Sequence, residues 1–105
     1  MSFKWPPKDP DDVLDYSVDW SRFIGTASIA SVSWYVDDAA GAKTLIVGGA
    51  VVDGIQNVAQ TVAGKVATIN LGLGTLNKEY KFYCVISDST GSIAERVIRL
   101  KIKEQ

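Results

Sequence analysis

Five aspartates, Asp9, Asp11, Asp12, Asp15 and Asp19, crowd into one short stretch near the N-terminus. Carboxylates at that density offer the oxygen ligands that a calcium ion takes. The stretch lacks the D-x-D-x-D-G run and the distal glutamate of an EF-hand loop, so it reads as solvated charge or as a docking surface for a basic partner. Asp37-Asp38 reads as a turn. The chain contains no histidine, which removes the commonest general base and the commonest metal ligand together. Ser/His/Asp and Cys/His nucleophile arrangements are therefore excluded. Cys84 is the single cysteine. Set in an apolar run with no imidazole to activate it, it is expected in the core as a small hydrophobe, and no intramolecular disulfide is possible. No GxxxxGK loop occurs, and Gly72-Leu73-Gly74 lacks the third glycine and the following helix of a dinucleotide site. The expectation is a protein with no catalytic residues, no cofactor and no metal: not an enzyme.

Composition sets the frame for these side chains. A chain of 105 residues, 47% hydrophobic and 22% charged, is expected to fold as one domain that buries about 60–70% of its unfolded surface. A formal net charge of −1 provides no field to draw nucleic acid or an anionic membrane. The start, MSFKWPPKDP, has no apolar signal-like region, and no apolar run reaches the roughly 18–20 residues that cross a bilayer.

All three prolines, Pro6, Pro7 and Pro10, fall within residues 1–12. Proline removes a backbone donor and fixes φ, so this segment is expected as an extended, acidic, polyproline-like arm, with residues 13–105 forming the folded domain. Trp5 in such an arm packs either on its own domain or into a neighbouring subunit, where tryptophan is enriched at binding hot spots. Strict alternation then begins. Leu14, Tyr16, Val18 and Trp20 point one way and Asp15, Ser17 and Asp19 the other, the period of a half-buried strand. Ser21 to Ala27 reads as a connection. Ile29 to Val36 is a second strand with Ala30, Val32, Trp34 and Val36 inward, and Trp34 is placed at the centre of the core. Short runs at Lys43–Val47 and Ala50–Asp53 flank Gly48-Gly49. Strands are also expected in Asn57–Gly64, Lys65–Leu71, Glu79–Asp88 and Ser92–Lys103, with a turn at Asp88-Ser89-Thr90-Gly91. The lysines and arginines of the last segment alternate with apolar residues and read as a wet face or a guarded edge.

About seven short strands at regular spacing predict an all-β antiparallel sandwich. In TLNKEYKFYCV a leucine stands four residues before a tyrosine that opens an alternating run. This resembles the tyrosine corner of immunoglobulin and fibronectin type III domains, in which the Tyr80 hydroxyl would bond to backbone a few residues upstream.

Two blocks carry a closer resemblance. One is WPPKDPDDVLDYSVDWSRFIG with the following Ser33-Trp34 strand. The other is Glu79-Tyr80 through Ser89-Thr90-Gly91, then Ala94-Glu95-Arg96 and the closing strand. Together they resemble the bacteriophage fibre–tail adaptors, small immunoglobulin-like virion proteins of phage tails; residues 37–73 do not share the pattern. The resemblance implies an immunoglobulin-like sandwich and a tail or neck component that attaches fibres to the tail. It further implies synthesis in the host cytoplasm, residence in the virion, and an oligomeric state in the assembled particle. The partners implied are other tail proteins, namely the tail tube, an adaptor or neck ring, and the fibres, with no nucleic acid and no membrane. Docking then falls to the arm residues Trp5, Pro6, Pro7, Asp9, Asp11 and Asp12, whose preset polyproline geometry lowers the ordering cost of binding. Strand addition at an exposed edge is a second route. The competing reading is a free-standing immunoglobulin-like module that binds a carbohydrate or protein through its loops, with Trp20, Phe23 and Tyr35 as an aromatic platform.

Overall fold

In the computed structural model, which describes residues 2–104 with side chains from Lys4 onward, the alternating segments become nine strands and one helical turn. They are β1 (Ser2–Lys4), β2 (Leu14–Asp19), α1 (Ser21–Ile24), β3 (Ile29–Asp37), β4 (Lys43–Leu45), β5 (Val51–Val52), β6 (Ile55–Ala63), β7 (Val66–Leu73), β8 (Glu79–Asp88) and β9 (Ile93–Lys101). The sandwich has a five-stranded sheet in the order β1-β9-β8-β3-β4 and a four-stranded sheet in the order β2-β7-β6-β5. Every pairing is antiparallel except that of β1 with β9. β4 and β5 form within the expected short runs Lys43–Val47 and Ala50–Asp53, and β1, in the segment expected as an arm, adds an unexpected edge strand to bring the count to nine.

Period-two patterning dictates the core. Trp34, Val36, Phe82, Cys84, Ile86, Ile98 and Leu100 come from the inner face of the five-stranded sheet, and Tyr16, Val18, Ile55, Ala67, Ile69 and Leu71 from the other. Each large side chain buried here contributes about 1.5–3 kcal/mol, so these two faces hold the sheets together. Trp34 sits at the centre as expected, 1% exposed. Ala30 does not join it: a bulge between Ile29 and Ser31 shifts the register, and Ala30 is exposed. The stretch from Ser21 is not a plain connection either. The Asp19 carboxylate accepts the Ser21 N–H at 2.9 Å and starts the turn α1, which tucks Ile24 over one end of the core.

The tyrosine corner is present. The Tyr80 hydroxyl accepts the Thr75 N–H at 2.9 Å and donates to the Asp53 carbonyl at 2.8 Å. It thus pins the loop before β8 to the turn between β5 and β6. Gly74 sits in the same loop at φ 110°, where a Cβ would lie 2.8 Å from Ile102 Cδ1. Only glycine satisfies both the backbone angle and the close approach.

Candidate docking surfaces

The arm is laid along its own domain. β1 runs parallel to β9, and the contact continues past the strand: Trp5 N–H donates to Arg99 O at 2.9 Å, Lys8 N–H to Lys101 O at 3.0 Å, and Lys103 N–H to Lys8 O at 2.8 Å. The prolines between these points have no N–H to leave unpaired. Trp5 packs into an aromatic group formed with Tyr16, Phe82 and Trp34, at centroid separations of 4.9, 5.7 and 5.9 Å. Its Nε1 donates to Ser17 O at 3.3 Å, and the Tyr16 hydroxyl donates to Pro6 O at 3.2 Å. The arm therefore also closes the gap between the sheets along β2.

Lys8 completes the attachment and was not singled out by the sequence pattern. It is fully buried, and its ammonium donates to Leu73 O at 2.5 Å and to Asp9 O at 2.7 Å. Leu73 holds a left-handed φ of 58°, costly for a branched residue, and the ammonium satisfies the carbonyl that this conformation turns inward. Burial lowers the Lys8 pKa from its ordinary value, while the carboxylates of Asp12, Asp9 and Asp11 act in the opposite direction. No feature of residues 1–12 separates Lys8 from Lys4 except its place beside the aspartates.

The aspartates that follow form a compact turn. Asp9 Oδ1 accepts the Asp11 N–H at 2.8 Å, and Asp12 N–H donates to Asp9 O at 3.0 Å. Of the expected docking set, Pro6, Pro7 and Asp11 are exposed, Asp9 and Asp12 are half-buried, and Trp5 is turned toward the aromatic core. Met1 lies outside the described residues. Among the described residues no group of three or more acidic or cysteine side chains is arranged to hold a metal ion, and no helix is long and apolar enough to cross a membrane.

The other candidates separate in space. A cleft of about 370 Å³ beside β1 is lined by Lys4, Trp5, Pro7, Glu79, Arg99, Lys101 and Lys103, so the arm has a basic flank as well as an acidic turn. Trp20, expected in an aromatic platform, is buried at 1% exposure beneath Arg96, whose guanidinium lies 4.8 Å from its ring centroid. Phe23 is exposed and packs edge-on to Trp20. Tyr35 lies on the outer face of the five-stranded sheet, 4.8 Å from the Lys43 ammonium. Burial of Trp20 thus removes the central ring of that platform. Burial also pushes the Cys84 thiol up to about 12, as an inert core cysteine requires.

The sequence matches a family model described as Podophage GP4 fiber-tail adaptor protein gp77 over residues 8–101. No curated protein matches it.

Proposed function

The chain belongs to the podophage GP4 fiber-tail adaptor protein gp77 family, and we propose that it is a non-enzymatic tail component that attaches fibres to the tail through its N-terminal arm. The family match over residues 8–101 carries this reading. On it, residues 1–12 form the docking arm, which itself lends β1 to the edge of one sheet, and residues 13–105 form the rest of the sandwich that presents it. Pro6, Pro7 and Asp11 supply the outward surface, Asp9 and Asp12 shape the acidic turn, and Trp5 anchors the arm from beneath. An arm already fixed to its domain loses little conformational freedom on docking, which favours tight attachment. The partners are tail and fibre proteins, met by several copies of the chain in the assembled virion and without nucleic acid or membrane.

The test uses charge rather than deletion, because removing residues 1–12 would also remove Trp5 and Lys8 from the fold. Gradient-purified particles carrying Asp11→Lys and Asp12→Lys are compared with wild type by quantitative mass spectrometry. The reading expects a fixed stoichiometry for the wild-type chain and a drop of about tenfold or more for the reversed arm, equivalent to about 1.4 kcal/mol of binding or more. Undiminished incorporation would remove the arm from the interface, and absence of the wild-type chain from clean particles would remove the adaptor role.

A further inference from the structure

Strand β6 runs well past the end of its outer neighbour β5. Its first part, Ile55 and Gln56, is covered by β5, and Asn57 exchanges backbone bonds with Gly49 and Ala50. Beyond Asn57 the strand pairs with β7 alone. From Val58 to Ala63 every residue is exposed, including Gln60 and Val62, whose partners on β7, Ile69 and Ala67, face the core. The run Val58-Ala59-Gln60-Thr61-Val62-Ala63 contains no charge and no proline.

Natural sheets guard such edges with charge, proline, brevity or a cover. The terminal strands of the two sheets are guarded in these ways. β1 bears Lys4 and runs into Pro6 and Pro7, and β2 bears Asp15 and Asp19 and is capped by the Trp5 indole at Ser17 O. β4 has three residues including Lys43, and β5 has two. The outer edge of β6 from Val58 to Ala63 has unpaired backbone groups and no gatekeeper, whereas the shorter stretch of β3 that β4 leaves uncovered, Ile29–Ser33, carries the bulge between Ile29 and Ser31.

A second, independent observation lies at the same place. A pocket of about 140 Å³ opens between this edge and the facing sheet, lined by Val32, Trp34, Gln60, Thr61 and Val62. The indole Nε1 of Trp34 is buried with no hydrogen-bond partner, and so is Asn57 Oδ1 at the bulge where the free edge begins. Orphaned polar atoms of this kind cost about 1–3 kcal/mol each. Two of the three such side-chain atoms among the described residues therefore border one edge.

We infer that the Val58–Ala63 edge of β6 is a strand-addition site for an extended, uncharged segment of a partner polypeptide. An extended backbone is the occupant that meets alternating N–H and C=O groups along one edge. The pocket mouth, lined by Val32, Trp34, Gln60, Thr61 and Val62, holds no charged side chain to pair with, so a charge on the inward side of the inserted segment would be buried uncompensated and a neutral segment is favoured. The side chains it turns inward meet Gln60 and Val62 at the mouth of the Trp34 pocket, where small residues fit best. On the adaptor reading, that segment belongs to a tail or fibre protein; the edge itself does not depend on it.

The full chain is screened against short overlapping peptides from the tail and fibre proteins of its phage, with random-sequence peptides alongside. Hydrogen exchange reports on the amides of β6. The expected result is a peptide that protects the Gln60 and Val62 amides and whose affinity falls about tenfold or more, about 1.4 kcal/mol of binding or more, in both Val62→Lys and Gln60→Lys. Both positions are exposed; thermal melting of Val62→Lys should match wild type, while Gln60→Lys also loses the bond that Gln60 Oε1 accepts from Asn57 Nδ2 at 2.8 Å and so serves only as the second binding readout. If no peptide protects these amides, or if both lysine variants bind undiminished, the site is overturned. Dimers of the wild-type chain alone that Val62→Lys dissolves would assign the edge to a second copy and also overturn it. Protection by random peptides but by none from the tail would uphold the edge and count against the adaptor reading.

Discussion

The two ends of the molecule where strands run out have been treated in opposite ways. The arm beside β1 is fastened by backbone bonds at Trp5 and Lys8, by an indole set among Tyr16, Phe82 and Trp34, and by a buried ammonium on Leu73 O. The end of β6 carries none of this, and all its residues from Val58 to Ala63 face solvent. The arm has the aromatic, proline and acidic residues that mark binding segments, yet most of them serve its own fold. The β6 end has an unremarkable sequence and an unfinished hydrogen-bond ladder. Composition alone would therefore direct attention to the wrong atoms of the arm and away from β6 altogether.

Truncating the anchors tests that contrast most severely. Trp5→Ala should lower the unfolding free energy by about 3 kcal/mol, the cost of removing a large packed aromatic, measured by urea denaturation. Val62→Ala on the free edge should stay within about 0.5 kcal/mol of wild type, as exposed positions do. Equal losses at the two sites would erase the distinction.

Lys8 gives the next effect and a sign. Burial holds its folded pKa below the ordinary 10.5. Between the folded value and 10.5 the unfolded chain binds more protons, so this group adds stability as pH rises through that window and removes it as pH falls through the folded value. Lys8→Met keeps the length of the side chain and lacks the titration. Its stability relative to wild type should therefore fall as pH rises toward 10.5, read from denaturation midpoints at a series of pH values. Tyr16 is shifted upward by burial and by Asp12. Its ionisation above pH 10 destabilises both proteins and leaves the difference between them to Lys8.

Much of this molecule is legible in its sequence. Alternation at Tyr16–Trp20 and Tyr80–Ile86 sets the inward faces, although Leu14, expected to share that face, is exposed where β2 begins, and the Leu76–Tyr80 spacing places the corner whose hydroxyl bridges Asp53 and Thr75. Those features are local, and a period-two pattern contains them. Lys8 is different. A lysine beside three aspartates looks like surface charge, and its burial follows from a carbonyl 65 residues away. Ala30 fails for a related reason, since a bulge at Ile29 changes register without changing composition. The open edge of β6 was hidden most completely. Its strand was expected, but which strands have two neighbours is a property of sheet order, and the brevity of β5 decides it.

The β8–β9 turn offers an internal control that belongs to neither end. Asp88 Oδ1 accepts from Thr90 N–H at 2.9 Å, Thr90 Oγ1 at 2.6 Å and Ser92 N–H at 3.0 Å. These bonds, led by that from the Thr90 side chain, hold its carboxyl below the ordinary 3.8. Its contribution is present above pH 3.8 and is lost as pH falls through the lower, folded value. Asp88→Asn should be less stable than wild type at neutral pH, and the two acid-unfolding curves should converge below that point. A constant offset down to the lowest pH would mean that the turn depends on shape rather than on charge.

Hydrogen exchange on the unaltered protein makes the finest cut between the two ends. Gly64-Lys65 joins Ala63 to Val66 in a two-residue turn, with Gly64 at φ 61°, the geometry in which the flanking pair exchanges both backbone bonds. Bonding to β7 then alternates, so Ala59 and Thr61 turn their N–H groups toward β7 while Gln60 and Val62 turn theirs to solvent. The Trp5 and Lys8 amides, bonded to Arg99 and Lys101 carbonyls, should exchange only through larger openings of the domain. The Gln60 and Val62 amides should exchange at the rate of free peptide, while Thr61 between them is slow. A fast-slow-fast pattern across three consecutive residues is the signature of a strand paired on one side. Uniform protection there would mean that the edge is already covered in the isolated chain.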